Sequence, residues 1–261
     1  MNGYSSGNGN NSYTSGKKGN PGHSKSNSKK PLHMGDFKKF KKLKNIDDRY
    51  LFGKTLGQGA FGTVKLCMHK DSQKTFAIKI MHKVAIKKQH IYIELLQNEL
   101  QILGEKSHPN IIRIVDLIED NENYYIVSEV VKGGELFNRL TKLNSFTESQ
   151  AADIISQIML GLNYMHLQSI THRDLKPENI LLVKDDEDCF DIKIADLGFA
   201  QKFEKEKGLD LVLGTPLYMA PELVKHERYT EKVDVWSLGV IVYQLLCGKT
   251  PFDAKNLNRI N

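Results

Sequence analysis

Hydrophobic and polar positions divide this chain into regions of different character. Residues 1 to 30 are mostly Asn, Gly, Ser and Lys with almost no aliphatic side chains, so they cannot bury enough surface to offset the entropy of ordering, and disorder is expected. From Tyr50 the pattern changes to β-branched and aromatic residues punctuated by glycine. Apolar runs over Thr63 to Met68, Phe76 to Ile80, Ile112 to Ile118 and Tyr124 to Glu129 predict strands, and the turn-rich Glu119-Asp120-Asn121-Glu122-Asn123 separates the last two. A helical segment between them carries Glu94 and Glu99, with Leu96 and Leu103 forming the stripe expected to face the sheet. Further on, helices are expected instead of strands. Gly133-Gly134-Glu135-Leu136-Phe137 opens one, and Thr147-Glu148-Ser149-Gln150 is a capping box opening a long one. That helix is expected to turn Ile154, Ile155, Ile158, Met159 and Leu162 to the core. Asp234-Val235-Trp236-Ser237-Leu238-Gly239 lies on another apolar helix, expected to be capped by Thr230.

Charge changes the picture once it is divided along the chain. The net charge is +6. Residues 1 to 49 hold 11 basic and 3 acidic residues, or +8, which leaves −2 for the remainder. The basic character belongs to the tail, and the folded part gives no sign of nucleic-acid binding. Within the tail, Phe37, Phe40 and Leu43 recur at i, i+3, i+6 among lysines. A solvated basic linker is the expectation there, with contact of residues 37–44 with an anionic membrane as the weaker alternative. Cys67, Cys189 and Cys247 form no C-x-x-C pair, which argues against zinc and disulfides and fits a reducing, intracellular compartment. No signal-peptide pattern opens the chain, and no apolar run reaches the roughly 18 residues of a membrane span.

Candidate chemistry begins at Gly57-Gln58-Gly59-Ala60-Phe61-Gly62-Thr63-Val64, a G-x-G-x-x-G-x-V pattern. Alone the spacing also suits a strand-to-helix turn, but the strand-like residues after it favour a hairpin whose backbone can approach phosphate closely. Lys79 is embedded in an apolar strand and needs an anionic partner. Glu94 and Glu99 lie about 140° apart on a helix, and Glu99, on the apolar stripe, is the one chosen. His172-Arg173-Asp174-Leu175-Lys176-Pro177-Glu178-Asn179 brings a proton acceptor, a cation and a metal-binding amide into one loop stiffened by proline. Phosphoryl transfer needs that combination, because the protein supplies mainly positioning and charge stabilisation. Asp185-Asp186-Glu187-Asp188 lacks the glycine and glutamate of a calcium loop and reads as a solvated turn. Between Asp196 and Gly214 there is no Ser, Thr or Tyr, so phosphorylation within that segment is chemically unavailable.

Taken in order over Tyr50 to Asn261, these motifs resemble those of eukaryotic Ser/Thr protein kinases. The sequences G-G-E-L-F, H-R-D-L-K-P-E-N and Leu246-Cys247-Gly248-Lys249-Thr250-Pro251-Phe252 most resemble the calcium/calmodulin-dependent and calcium-dependent protein kinases. The resemblance implies an α+β bilobal fold, with a β-rich lobe and hinge over residues 50–131 and a mainly helical lobe over 132–261, after a basic tail of residues 1–49. It implies that the family fold continues through further helices beyond Asn261, including an arginine that would pair with Glu222 of Ala220-Pro221-Glu222. Leaving Glu222 without it is expected to cost about 3 to 5 kcal/mol if the pair is buried.

ATP and Mg²⁺ are the implied cofactors. The nucleotide would meet Leu56, Gly57, Gln58, Gly59, Ala60, Phe61, Gly62, Val64, Ala77, Lys79, Glu129, Val131, Glu135 and Leu181, while Asn179 and Asp196 would bind the metal. Asp196-Leu197-Gly198 has Leu where the family motif has Phe. Asp174 would accept the proton of the substrate hydroxyl or orient it, Lys176 would neutralise the γ-phosphate, and Thr215 would bridge the two, with Lys79 and Glu99 completing the catalytic set. His172 would be a packed spine residue, and Asp234 would brace the loop. Arg173, which in related kinases meets a phosphate, is expected to pair with Glu204 or Glu206. Ser128 falls where a bulkier side chain usually closes the adenine pocket. Glu135 and Glu178 would read substrate arginines.

The implied function is ATP-dependent phosphorylation of Ser or Thr in basic protein substrates, in intracellular and calcium-linked signalling, by a monomer located in the cytoplasm, with the nucleus left open. The competing expectation is a nucleotide-binding scaffold without activity, because the helical lobe is incomplete. A small-molecule kinase is disfavoured, since G-T-P and A-P-E shape a polypeptide groove in the resembling families.

Overall fold

The computed structural model describes residues 40–59, 62–84, 107–204 and 206–252. Glu99, Ala60, Phe61, the tail before Phe40 and the helix expected around Glu94 lie outside them.

The first part is a six-stranded sheet in the order β1-β5-β6-β4-β3-β2, built from β1 (Lys41–Lys42), β2 (Tyr50–Gly59), β3 (Gly62–His69), β4 (Thr75–His82), β5 (Ile114–Glu119) and β6 (Asn123–Ser128). All neighbours run antiparallel except β1 and β5. The two-residue period of a strand sends alternate side chains to opposite faces. On one face Tyr50, Cys67, Phe76, Ile78, Ile118, Tyr125 and Val127 pack with Ile46. On the other Met81, Ile114, Leu117 and Ile126 pack with Phe40. Lys79 alternates with Ile78 and Ile80 and so shares the face of Met81, paired across the strands with Val64 and Ile126.

The second part contains, among the described residues, α1 (Leu136–Leu143), α2 (Glu148–Leu167), α3 (Pro221–Val224) and α4 (Lys232–Cys247). The capping box at the start of α2 is formed, with Thr147 Oγ1 accepting from Gln150 N–H and Gln150 Oε1 accepting from Thr147 N–H. Ile154, Ile158, Leu162 and Met165 of α2 are buried with Leu238, Val240, Ile241 and Leu245 of α4 in the largest core. Two short antiparallel pairs lie on this core, β7 (Ile170–Thr171) with β10 (Gln201–Lys202) and β8 (Ile180–Leu182) with β9 (Ile192–Ile194). The loop 172–179 is therefore strung between β7 and β8, and Asp196 follows β9 directly. The β-rich and helical parts of the expected fold are both present.

The structure departs from several expectations. Met159 is 55% exposed and Ile155 only half-buried. Helix α4 has Glu231, not Thr230, at its N-cap and no side-chain cap bond. Residues 40–49 do not behave as a solvated linker. Phe40 is buried, Lys41 and Lys42 pair with Ile118 and Glu119, and Lys41 Nζ lies 2.7 Å from the buried carboxylate of Asp116, which Arg49 also approaches at 3.5 Å. Packing on the sheet therefore starts before Tyr50, and Phe40 and Lys41 are engaged with protein. Glu222 is half-buried, so the full cost of a stranded buried charge does not apply to it. No described helix is long and apolar enough to cross a membrane.

Candidate active site

The loop between β7 and β8 owes its shape to one residue of α4. Asp234, fully buried in the first turn, accepts hydrogen bonds from the backbone N–H groups of His172 (2.8 Å) and Arg173 (2.9 Å), from Thr171 Oγ1 (3.0 Å) and from His166 Nε2 (2.8 Å). Burial pushes its carboxyl up, yet the His166 hydrogen bond, the nearby histidines and the donated N–H bring it below its ordinary value, so it stays charged. Arg173 adopts φ 67, a left-handed conformation that costs a side-chain-bearing residue about 1 to 3 kcal/mol. The bonds to Asp234 hold it there.

Asp174 is buried at the centre of a small network. Thr215 Oγ1 donates to its Oδ1 at 2.7 Å, Lys176 Nζ lies 2.9 Å from its Oδ2, and Lys176 Nζ also donates to Thr215 Oγ1 at 2.7 Å. Asn179 Nδ2 donates to the Asp174 carbonyl (2.7 Å) and to Oδ2 (3.1 Å), which leaves the amide oxygen of Asn179 outside both bonds. Gly214 brings Thr215 close to the loop. It has φ 117, and a Cβ there would stand 2.5 Å from the Arg173 carbonyl oxygen. His172 is fully buried, with Nε2 3.2 Å from the Ala195 carbonyl oxygen, and belongs to the core.

Asp196, at φ 50, directly follows Ala195, whose N–H donates to the Asn179 carbonyl at 2.8 Å. Lys79 Nζ donates to its Oδ1 at 2.5 Å. Its side chain is 43% open to water. Enclosure pushes the carboxyl up, and the Lys79 ammonium beside it more than reverses this. A charged carboxylate and an amide oxygen are the hard ligands that Mg²⁺ takes, usually with phosphate oxygens completing the shell, so Asp196 and Asn179 fit that ion.

On the β-sheet side, β2 and β3 form the glycine hairpin, with Gly59 paired to Gly62 and Val64 to Gly57. Gly62, at φ 148, has no room for a Cβ, which would meet the Ile80 carbonyl oxygen. Ala77 and Ser128 are cross-strand partners, both half-buried. Glu129 follows, its N–H donating to the Arg113 carbonyl and its carboxylate 3.0 Å from Lys193 Nζ, while its carbonyl accepts no backbone hydrogen bond among the described residues. Val131 and Leu181 pack against the large core, Leu181 pairs with Glu135, and Leu56 is exposed. The described nucleotide positions thus lie along β2, β3, β4, the end of β6 and β8.

Glu135 and Glu178 stand near Lys176. Burial raises the Glu135 carboxyl, the negative charge of Glu178 raises it further, and Lys176 partly offsets both. Glu178 Oε2 is buried without a hydrogen-bond partner among the described residues. Arg173 meets neither Glu204 nor Glu206. Its Nε donates to the Phe199 carbonyl (2.6 Å) and its Nη1 to the Tyr229 hydroxyl (3.2 Å), while Glu204 pairs with Lys207. Sequence reading did not identify Tyr229, and no local pattern marks a tyrosine 56 residues away from its partner.

Comparison with known proteins is consistent with this geometry. A family model described as protein kinase domain matches residues 50–261. A calcium/calmodulin-dependent protein kinase type 1 of Macrobrachium nipponense is 42% identical over 216 residues, covering 82% of this chain and 61% of the relative. A probable myosin light chain kinase of Dictyostelium discoideum is 41% identical over 82% of this chain and 60% of its own length. Calcium-dependent protein kinase 5 of Plasmodium falciparum is 46% identical over 82% of this chain but 36% of its own length. The chain thus spans 61%, 60% and 36% of these three relatives.

Proposed function

The chain belongs to the protein kinase family, of the calcium/calmodulin-dependent type, and from that premise we propose that it transfers the γ-phosphate of ATP to serine or threonine hydroxyls in basic protein substrates. The observation that carries the proposal is the Asp174, Lys176, Thr215 and Asn179 network, joined through the Ala195 N–H on the Asn179 carbonyl to the next residue, Asp196, which pairs with Lys79. Asp174 accepts the proton of the attacking hydroxyl, or orients it, from a position fixed on both carboxylate oxygens. Lys176 reaches the same carboxylate and compensates charge on the transferring phosphoryl group. Lys79, paired with Asp196, supplies a second cation for the phosphates. Mg²⁺, held by Asp196 and Asn179, would neutralise the phosphates and align them. The chain's own residues otherwise contribute position and charge, which is most of what phosphoryl transfer asks of a protein.

Preference for basic substrates is supported by Glu135, whose carboxyl is raised by burial and by the charge of Glu178, and by Glu178 itself, whose buried Oε2 has no hydrogen-bond partner among the described residues. A substrate guanidinium would relieve both. The relatives' names support a place in calcium-linked signalling.

The test is transfer from Mg-ATP to a serine peptide with and without an arginine, using residues 1–261 and its Asp174→Asn variant. Transfer that is faster with arginine and falls about 10²-fold or more in the variant is the expected result. ATP binding with no transfer from either protein would overturn the reading in favour of a scaffold.

A further inference from the structure

The segment from Asp196 to Gly214 contains no residue that can carry a phosphate, yet it is tied down next to the catalytic loop. The tie is Tyr229. Its ring is buried with Phe203, Leu209, Ala220, Leu223 and Val233. Its hydroxyl accepts from Arg173 Nη1 (3.2 Å) and donates to the Leu211 carbonyl (2.6 Å). Its backbone exchanges two hydrogen bonds with Leu209, the N–H of each donating to the carbonyl of the other at 2.8 and 2.9 Å. One side chain therefore joins the residue before Asp174, the middle of the 196–214 segment and the turn that leads into α4.

We propose that Tyr229 is a positioning residue of the catalytic loop, holding Arg173 and the 196–214 segment together by a phenol hydroxyl where a phosphorylated segment would use a phosphate. The guanidinium is buried, so leaving its N–H groups unmatched would be costly. Phe199 and Tyr229 take Nε and Nη1, while Nη2 has no hydrogen-bond partner among the described residues. Arg173 is pinned at both ends, its backbone by Asp234 and its side chain by Tyr229, so Asp174 inherits its place from both. Because the latch is built from unmodified residues, the catalytic loop is ordered without a phosphate on the segment.

The activity part of the test rests on the kinase reading, so a second readout is independent of it. Wild type, Tyr229→Phe, Arg173→Gln and the double variant, all of the full 261-residue chain and treated with phosphatase, are compared by hydrogen exchange and by peptide phosphorylation. Tyr229→Phe deletes one oxygen and keeps the ring. Amides of residues 206–213 and 226–230 are expected to exchange about tenfold faster in it, with exchange in β3 unchanged. Its kcat is expected to fall about tenfold or more with the KM for ATP held within about twofold, and the double variant should be no slower than Arg173→Gln alone, as expected of coupled residues. Wild-type exchange in Tyr229→Phe overturns the latch even if no variant transfers phosphate. Loss that multiplies in the double variant overturns the route through Arg173. If wild type transfers no phosphate, the kinase reading fails and the exchange result alone decides.

Discussion

At the scale of single residues, the groups proposed to do chemistry sit where the backbone is least free to move. Arg173 and Asp196 both have positive φ without being glycine, and each adjoins or is a residue assigned to phosphate transfer in the proposal. Ser128 offers a test that needs no change in this machinery. It is half-buried at the end of β6, opposite Ala77, and in the proposed nucleotide site its small side chain would leave volume behind the adenine. Inhibitors of the bulky pyrazolopyrimidine type are expected to bind, and Ser128→Met to weaken them about 100-fold while KM for ATP stays within a few-fold; one methylene-sized change in an apolar pocket is worth about 10- to 200-fold, and Met adds more than that. Equal inhibition of both proteins would remove Ser128 from the pocket. Asp174, Lys176 and Asn179 stand out in the sequence because three polar groups share one short loop, whereas Thr215, 41 residues beyond Asp174, was singled out only through the resemblance. Tyr229 and Asp116 were not legible. Their partners are Arg173, and Lys41 with Arg49, and these pairings depend on how the chain folds back rather than on spacing.

At the scale of elements, α4 matters more for what it holds than for what it buries. The depressed carboxyl of Asp234 sets the sign of a pH effect. A folded-state value below the ordinary 3.8 gives stability that is present above that value and is lost as pH falls through the folded one. Asp234→Asn, which leaves four donors facing a neutral amide, is expected to lower stability by about 3 to 5 kcal/mol near neutral pH. The gap between it and wild type in denaturant melts should stay constant above about pH 5 and narrow toward about pH 3; a gap that does not change with pH would mean that the carboxyl titrates alike in the folded and unfolded protein. Helix positions show how far periodicity reaches. With about 100° per residue, Ile154, Ile158, Leu162 and Met165 fall within one narrow arc, Ile155 at its edge and Met159 about 140° from Ile154 and outside it. The apolar stripe was legible, but its width was not, because that is set by how closely β9 and α4 approach. The N-terminus of α4 was misplaced for a similar reason. Thr230 has the right side chain, but the chain enters the helix through Glu231 in a helical conformation that leaves no geometry for a cap.

At the scale of the whole molecule, the order of strands and helices followed from the sequence because each element has its own hydrophobic period and the motifs sit at their ends. The edge of the sheet did not. Lys41-Lys42 is two residues long and doubly charged, which no strand pattern detects, and it becomes a strand only because Phe40 fills an apolar gap and Asp116 takes the lysine charge. This edge strand has a practical consequence for anyone who trims the protein. A gene cut at Tyr50, where the hydrophobic pattern begins, would remove the cover from β5, expose its unpaired backbone groups and withdraw Lys41 from a carboxylate that cannot reach water. Bare strand edges recruit other strands. The shortened protein is expected to form dimers and larger species in sedimentation at concentrations where a version starting ahead of Phe40 does not, and Asp116→Asn in the shortened form should recover part of the lost stability. Identical sedimentation of the two lengths would show that those ten residues are ornament; otherwise they serve as the seal that keeps one copy of this sheet from adding to the next.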